Sequence, residues 1–461
     1  MMERSTRKNR IDQLFRPELF AVLLMLSPVV DVMTGALLLS GRGGGISALY
    51  KGVIFLLCLF RLMLGMPRNG WIWTSLLCGM LAMNLTNVVL SYGGSGLAYD
   101  GNILLKMLTP ICLIGVFELI GRKEPDRLAV CTKRIISFYR IFFPLSLIIP
   151  KLLGVGYRTY SYGVGFKGFY YAGNDISIVM VVVTIWNVRE LVRHPRKREV
   201  LLSGLSLTAL LFLGTKTAWL MAAVIVAVFV LHGKRLLWKL VSAAGVFIGG
   251  TAFLFLERQE VLNLIGSLRS LYNRYLLSGG TVLTFLLSER DRLIEKFFSL
   301  VYRENPLWAF FVGEGAYYQA SLIPGDQLIE MDLPDLLIRC GIVCCVLIMG
   351  FFGYWYVKYR RYADFGCRFA WLAMVGFSMI AGHVLFSPMS NLVLAIVYLD
   401  MMAGRRLPPG VVSQGEAAGP GQDSAAEISR DTPEEDEEWE LEEFDFEGLK
   451  INEDIIESTL W

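Results

Sequence analysis

The residues best suited to chemistry lie in one polar interval, 289–341, of an otherwise apolar chain. It begins with Arg290 and Arg292, whose guanidinium groups could bind a phosphate or a carboxylate through paired hydrogen bonds. It ends with the carboxylates Glu330, Asp332 and Asp335. The combination predicts a site that binds an anion and moves a proton, although the arginines taken alone are equally typical of a solvated helix face.

The carboxylates of this interval have different expected roles. Asp335 and Arg339 are spaced i,i+4, which predicts an ion pair at the start of a helix. Glu330 precedes that helix, where a carboxylate is free to act as a general base. Asp332 fits either interpretation.

Two helix starts elsewhere combine basic residues with free backbone amides, an arrangement that attracts anions and phosphates in particular. One is Gly214-Thr215-Lys216-Thr217, in which the threonines offer N-cap hydroxyls. The other runs from Arg158 through Lys167 to Asn174, which is predicted to cap the following helix. The alternative is simple capping, with long side chains reaching lipid headgroups.

Other residue patterns restrict the chemistry. His383 is the only histidine expected on the same side as these residues, and it is a candidate base or a satisfied interfacial residue. The eight cysteines lie mostly in or beside apolar runs and predict neither disulfides nor a metal site. The chain has no P-loop, nucleophile elbow or dinucleotide fingerprint, so cytosolic nucleotide chemistry and a cofactor are not predicted.

The elements that must position these residues are membrane helices, because 54% of the residues are hydrophobic and apolar runs of about 17–25 residues recur. The expected class is an all-α polytopic membrane protein with about twelve spans. The spans are 18–40, 46–66, 71–91, 102–121, 134–153, 174–192, 199–214, 217–232, 236–256, 334–357, 365–383 and 387–403.

Loop charges predict the orientation. Lys and Arg cluster before the first span, after the last and in every second loop, whereas the loop 91–101 has none. The chain is therefore expected in the plasma (inner) membrane with both ends cytoplasmic. The large loop 257–333 then faces outside, between spans nine and ten. Within it, Leu286, Leu293, Phe297 and Leu300 predict an amphipathic helix on the membrane surface, capped by Ser288 and Asp291.

The chain divides by composition into a membrane domain, 1–403, and a tail, 404–461. Residues 410–461 carry 17 Asp and Glu against 2 Lys and Arg. Such a segment is typical of a disordered cytoplasmic tail, with docking on a cytoplasmic partner as the alternative. The basic excess of the membrane domain reflects topology, so no nucleic-acid partner is predicted.

Several segments, in the same order along the chain, resemble the O-antigen ligase and polymerase family of membrane proteins. GFKGFYYAGND and FLGTKTAWL resemble two of its helix starts, and ERDRLIEKFFSLVYRENPLWAFFVGEGAY resembles its outer loop. IEMDLPDLLIRCGIVCC resembles its His-Asn helix start, except that Glu330 occupies the histidine position. The resemblance covers roughly residues 18–403.

This resemblance implies a metal-independent glycosyltransferase of the GT-C type that uses a saccharide on undecaprenyl pyrophosphate. An acceptor hydroxyl would attack the anomeric carbon, and the lipid pyrophosphate would leave. Glu330, supported by Asp332 or His383, would activate the acceptor. The candidate substrate-binding residues are Arg158, Lys167, Asn174, Lys216, Arg290, Arg292 and Arg339.

The expected function is polymerisation of lipid-linked repeat units into capsule, exopolysaccharide or O-antigen-type glycan, with a flippase and a chain-length regulator as possible protein partners. The motifs do not distinguish this polymerase from a ligase that moves finished glycan to another acceptor. A flippase or transporter is the rival from another class, and it should show broken helices, repeats and charges inside the spans. Asp31, Lys51 and Lys106 are candidates for such in-span charges, and no repeat is evident. A structural or sensory membrane protein is a third alternative.

Overall fold

The computed structural model describes residues 15–42, 45–65, 68–160, 165–232, 290–303, 306–322, 329–382 and 384–406, with isolated positions between 258 and 289. The chain divides into two units, Met1–Leu407 and Pro408–Trp461. The predicted ninth span, the acidic tail, Ser288 and His383 lie outside the described residues.

In the residues that the structure describes, the regular secondary structure of the first unit is helical except for one small sheet. The helices before the sheet are α1 (Pro17–Leu39), α2 (Ile46–Gly65), α3 (Arg68–Lys123) and α4 (Pro125–Leu152). The strands are β1 (Tyr157–Arg158) and β2 (Phe166–Gly168), and they pair antiparallel. The helices after the sheet are α5 (Gly173–Arg193), α6 (Lys197–Phe212), α7 (Lys216–His232), α8 (Arg290–Val301), α9 (Pro306–Phe311), α10 (Ala316–Leu322), α11 (Asp332–Tyr359), α12 (Phe365–Ile380) and α13 (Ser390–Ala403).

Five of the described helices are long and apolar enough to cross a membrane: α1, α2, α3, α4 and α11. The shorter helices α7, α12 and α13 are also apolar. The fold is thus that of an all-α membrane-embedded protein. Helices occupy the positions of the predicted spans other than the ninth, with shifted boundaries.

Two helices are broken where the sequence predicted something else. Spans three and four were expected as separate helices joined by the loop 91–101, but α3 is helical on both sides of a single break at Gly93 (φ 63°, ψ −147°). The loop prediction was wrong because the break needs only one residue in the left-handed region, which glycine adopts at no steric cost. The span predicted over 334–357 is broken in the same way at Gly341 (φ 71°, ψ 173°).

The centre of the bundle is formed by α5 and α13. Residues 175–189 of α5 and 390–399 of α13 are buried on every face. A helix that is apolar all round is expected to be enclosed by other helices rather than to present one face to them. These two helices therefore fix the positions of the loops at their own starts.

The amphipathic helix of the large loop exists as α8, but its apolar face packs on protein. Phe297 and Val301 are buried in a small core with Ala309, Ile329 and Ile338, which belong to α9, the residues before α11 and α11 itself. The predicted Ser288–Asp291 cap involves Ser288, which lies outside the described residues; α8 itself starts after Glu289 without a side-chain cap. Instead the Asp291 carboxylate accepts a hydrogen bond of 2.7 Å from the Thr284 hydroxyl.

Candidate functional site

An ion pair between α8 and the residue before α11 lies at the centre of the site. Arg290 Nη2 donates to Glu330 Oε2 across 2.7 Å, bringing together two residues that the sequence placed 40 positions apart. The Arg290 side chain is 12% exposed and that of Glu330 43% exposed. Glu330 has φ 58°, which is uncommon for a residue other than glycine and often marks a functional position. The carboxylate is thus held by an enclosed cation while remaining open to a ligand.

Lys216 is a second cation of this site. Thr215 caps α7 as predicted, because its hydroxyl accepts from the Ala218 amide at 3.1 Å, and Lys216 is the first residue of the helix. Burial lowers the pKa of the Lys216 ammonium, and the positive charge of Arg290 lowers it further. The charges of two cations from separate helices therefore repel each other, so an anionic ligand would stabilise both. We call Lys216, Arg290 and Glu330 the Arg290 site.

The β-hairpin brings its own basic residues to the start of α7. The Thr159 hydroxyl donates to the Leu213 carbonyl at 2.8 Å, and Gly165 also packs against that carbonyl. Arg158, the neighbour of Thr159, is exposed.

Lys167 is engaged by its own hairpin. Its ammonium donates to the Tyr171 carbonyl at 2.5 Å and lies 5.9 Å and 5.7 Å from the ring centres of Tyr157 and Tyr171. Burial lowers the pKa of this ammonium below the usual lysine range.

The predicted cap at Asn174 is wrong. Helix α5 begins at Gly173 after Ala172, without a side-chain cap, and Asn174 is the second residue of the helix. The capping carboxylate here is Asp175, and it acts on another helix, because its Oδ1 accepts from the Ser390 amide at the start of α13 at 2.8 Å. Asn174 is half-buried.

Asp332 holds the segment between α12 and α13. Its Oδ2 accepts from the Ser378 hydroxyl at 2.7 Å and from the amides of Val384 and Leu385 at 2.9 and 3.0 Å. Asp332 is buried, so these contacts make it a positioning residue rather than a base facing substrate.

The residue before His383 touches the backbone of Glu330. Gly382 has φ 62°, and a Cβ placed on it would lie 2.1 Å from the Glu330 carbonyl oxygen. The chain therefore requires glycine here to bring the segment that follows against Glu330. His383 itself lies outside the described residues.

The predicted Asp335–Arg339 pair is confirmed, at 3.4 Å, with both side chains 5% exposed. Gln319 of α10 completes it, donating to Asp335 Oδ1 and accepting from Arg339 Nε, each at 2.6 Å. The Arg339 guanidinium also lies over the Phe386 ring at 4.5 Å. Arg339 therefore ties the large loop to α11 and to the segment held by Asp332, and its burial separates it from bulk solvent.

The Gly-Glu-Gly turn of the large loop enters the break in α11. We call residues 311–315 the wedge. The amides of Glu314 and Gly315 donate to the carbonyls of Ile338 and Arg339 at 3.0 and 3.1 Å. These carbonyls are the ones that the break removes from the helical pattern, so the wedge satisfies them.

The wedge lies so close to α11 that neither backbone tolerates a side chain at the crossing. A Cβ on Gly313 would lie 2.6 Å from Arg339 backbone atoms, and one on Gly341 would lie 2.4 Å from those of Phe311. From the other side, the buried amide of Asn84 donates to the carbonyls of Val312, Gly313 and Arg339. The wedge thereby fixes the part of α11 that precedes Gly341, and this part begins two residues after Glu330.

The sequence reasoning missed Gln319, Asn84 and the role of Asp175. Asn84 carried a usable signal, since an amide inside an apolar span requires a partner. Gln319 and Asp175 carried none, because their partners lie on other helices. Arg292 is half-buried on α8.

The arrangement can bind an anion between Arg290 and Lys216 while presenting the Glu330 carboxylate beside it. Among the described residues, no group of three His, Cys, Asp or Glu side chains could hold a metal ion. Comparison of the sequence with models of known protein families and with curated proteins finds no match.

Proposed function

We propose that this protein is a glycan polymerase that joins saccharide repeat units carried on undecaprenyl pyrophosphate. The observation that carries the proposal is the Arg290–Glu330 pair of 2.7 Å with Lys216 beside it. Transfer of a glycosyl group from a lipid pyrophosphate needs cations for the leaving group and a base for the acceptor. The Arg290 site offers both kinds of group within one contact distance.

In the proposed reaction, Glu330 accepts the proton of the acceptor hydroxyl as its oxygen attacks the anomeric carbon of the donor sugar. The bond from that carbon to the pyrophosphate oxygen breaks, and its electron pair stays with the pyrophosphate. Arg290 and Lys216 stabilise the departing negative charge, with Arg158 and Arg292 as further candidates. Because Arg290 is already bound to Glu330, the arriving pyrophosphate competes for the guanidinium and releases the carboxylate for proton transfer.

The proposed setting is a bacterial plasma membrane with about twelve spans of GT-C type. Both termini would be cytoplasmic and the Arg290 site would face outside. The donor would be presented in the outer leaflet, after a flippase has moved it there, and a chain-length regulator is a possible partner. This topology is supported by the alternation of basic loops and by the five long apolar helices.

A transporter of lipid-linked sugars is the second candidate, and two observations favour it. Helices α3 and α11 are both broken, and the in-span charges Asp31 and Lys51 form a buried ion pair of 2.6 Å. Both features also suit a rigid enzyme, since the wedge fills the break in α11 and the ion pair is closed.

The deciding experiment incubates the purified protein in liposomes with a lipid-linked repeat unit and resolves the products by size. We expect a ladder of longer glycans with the wild-type protein and none with Glu330→Gln. A ligase gives transfer to a distinct acceptor without a ladder. Movement of the lipid across the bilayer without any longer product would replace the polymerase proposal with transport.

A further inference from the structure

The short helix α9 of the large loop turns large apolar side chains outward. Those side chains, between 37% and 74% exposed, are Leu307, Trp308, Phe310 and Phe311. With 3.6 residues per turn, these four positions share one face of the helix, and the buried Ala309 lies on the opposite face. A cluster of exposed large apolar side chains marks a surface that contacts a membrane or another protein.

The end of α9 is fixed against two membrane helices. The last residue of α9, Phe311, is also the first residue of the wedge, and a Cβ on Gly341 would lie 2.4 Å from its backbone. From α3, the Asn84 amide donates to the carbonyls of Val312 and Gly313 at 3.2 and 3.1 Å. Phe311 therefore lies at the level of Gly341 in α11 and of Asn84 in α3.

Two residue counts place this level inside the membrane. Lys358, at the basic end of α11, follows Gly341 by 17 residues, which extend about 25 Å at 1.5 Å per residue. Arg68, at the basic start of α3, precedes Asn84 by 16 residues, or about 24 Å. Both heights are less than the hydrocarbon thickness of about 30 Å, and any tilt of the helices reduces them further. The end of α9 therefore lies within the hydrocarbon, on the side opposite the basic loops, which is the predicted outer side.

The backbone that follows α9 is suited to this depth. Polar backbone groups away from water must be satisfied within the protein, and irregular backbone is tolerated in a membrane only where protein encloses it. The amides of Glu314 and Gly315 are bonded to α11, and the carbonyls of Val312 and Gly313 are bonded to Asn84. The wedge can therefore lie in the hydrocarbon region without exposing these groups to lipid.

The exposed face of α9 continues the lipid-facing surface of its neighbours. Met83, next to Asn84 in α3, and Val346, five residues beyond Gly341 in α11, are exposed apolar residues at nearby levels. Along α9, Phe311 is nearest to Gly341, and Trp308 lies three residues earlier. Tryptophan is enriched where hydrocarbon meets the headgroups, so the order of residue types agrees with a helix that enters the membrane from outside.

We propose that α9 is inserted in the outer leaflet of the membrane, with its exposed face against the hydrocarbon chains of the lipids. On its opposite face, Ala309 packs in one core with Phe297 of α8 and with Ile329, the neighbour of Glu330. Helix α8 also carries Arg290. Insertion of α9 therefore anchors both elements of the Arg290–Glu330 pair at the membrane surface, whatever reaction the site performs.

The test measures the accessibility of spin labels on the full-length protein in phosphatidylcholine liposomes. Labels are attached to Leu307→Cys and Phe311→Cys in a Cys78→Ala background, because Cys78 is exposed and the other seven cysteines are buried. Val346→Cys is the control in hydrocarbon, and Ser95→Cys, at an exposed position of the predicted loop 91–101, is the control in water. Molecular oxygen relaxes labels in hydrocarbon, whereas a water-soluble nickel chelate relaxes labels in water.

We expect both α9 labels to respond to oxygen as Val346→Cys does, with Phe311→Cys better protected from nickel than Leu307→Cys. A response to nickel equal to that of Ser95→Cys would place this face in water and overturn the inference. Protection from both reagents would mean that another protein surface covers the face, and it would equally overturn the inference. Neither outcome bears on the polymerase proposal, which is judged by whether the wild-type protein forms a glycan ladder.

A second measurement needs no label. The fluorescence of Trp308 is obtained as the difference between the wild-type protein and Trp308→Phe in liposomes. We expect this signal to be quenched by phospholipid brominated on its acyl chains and to persist in aqueous iodide. The signal of Trp186, obtained in the same way from Trp186→Phe, is the matched control, because Trp186 is fully buried and should be reached by neither quencher. Quenching of Trp308 by iodide and not by brominated lipid would overturn the inference.

Discussion

Arg189 and Arg290 both pair with carboxylates, but Asp400, the nearest partner of Arg189, is enclosed whereas Glu330, the partner of Arg290, is more open. Arg189 binds Asp400 at 2.5 Å and Asp364 at 3.5 Å, and Asp364 also binds Arg193. We call these four residues the Arg189 cluster. The Arg189 side chain is 8% exposed and that of Asp400 14% exposed, against 43% for Glu330.

The difference in enclosure indicates different roles for the same residue types. The Arg189 cluster joins α5, α13 and the start of α12, so its ion pairs hold these helices together. Asp364 also caps α12 by accepting from the Cys367 amide. The Arg290 site joins a loop helix to a residue before α11 and leaves a carboxylate facing solvent. A structural cluster should control stability, and an open site should control activity.

Glu330→Gln should give the largest difference between an effect on activity and an effect on stability. We expect the rate of glycan extension to fall about 10²–10⁴-fold, which is the usual contribution of a general base. The unfolding temperature should stay near the wild-type value because the Glu330 side chain is 43% exposed and the amide oxygen of Gln can still accept from Arg290. Product ladders and thermal unfolding measure the two effects. Normal extension by this variant would remove Glu330 as the base.

Arg189→Met should have the opposite effect: it should lower stability and leave activity unchanged. Removing one partner of a buried ion pair typically costs about 3–5 kcal/mol, because the remaining charge stays buried. We expect the free energy of unfolding to fall by that order, with the activity per folded molecule retained. Denaturant unfolding in detergent checks this, with Arg196→Met, at an exposed position, as the control. Unchanged stability would mean that the cluster is not structural.

Gly341→Ala tests whether the close crossing of the wedge and α11 is needed for the stability of the protein. The substitution places a Cβ 2.4 Å from the Phe311 backbone at φ 71°, so we expect a loss of about 1–3 kcal/mol in unfolding free energy. Gly350→Ala in the same helix is the matched control, because a Cβ there has no neighbour within 4 Å. That variant should be neutral or slightly stabilised. If both variants behave alike, the close approach of the wedge is not needed for stability.

The smallest expected effect is a shift in pH dependence. Burial and Arg290 both lower the pKa of Lys216, so pyrophosphate binding that needs its charge should fail at a lower pH than for an ordinary lysine. Arg290→Gln removes the second cause, so the pKa of Lys216 and with it the upper pH limit of the residual binding should rise. Titration of inorganic pyrophosphate binding between neutral and alkaline pH measures the limit. A limit that does not move would place Lys216 outside the influence of Arg290.

Local features of the fold could be predicted from sequence, and long-range ones could not. Thr215 as a cap and Asp335–Arg339 as a pair depend on residues three or four positions apart, and both are present. The Asn174 cap was wrong because α5 already begins at Gly173, and the contact that Asp175 makes instead is with Ser390, 215 residues away, which spacing does not report. The Arg290–Glu330 contact likewise could not be derived from spacing.

The breaks in α3 and α11 could not be predicted from the sequence for a related reason. Hydropathy reports how apolar a segment is, and both halves of α11 are apolar. The break at Gly341 depends on donors that arrive from the wedge and from Asn84, at sequence separations that periodicity does not report. The close crossing of Gly313 with α11 was visible only in the structure.

The wedge has a consequence for how the protein is made. Until Glu314 donates to Ile338, this backbone carbonyl of α11 lacks the partner that the wedge supplies, in a medium without water where an unsatisfied group costs several kcal/mol. The nascent segment therefore gains its bent form only once residues 311–315, which leave the ribosome first, have reached their place. Membrane insertion of this segment and folding of the preceding loop should accordingly occur as one cooperative step during biogenesis.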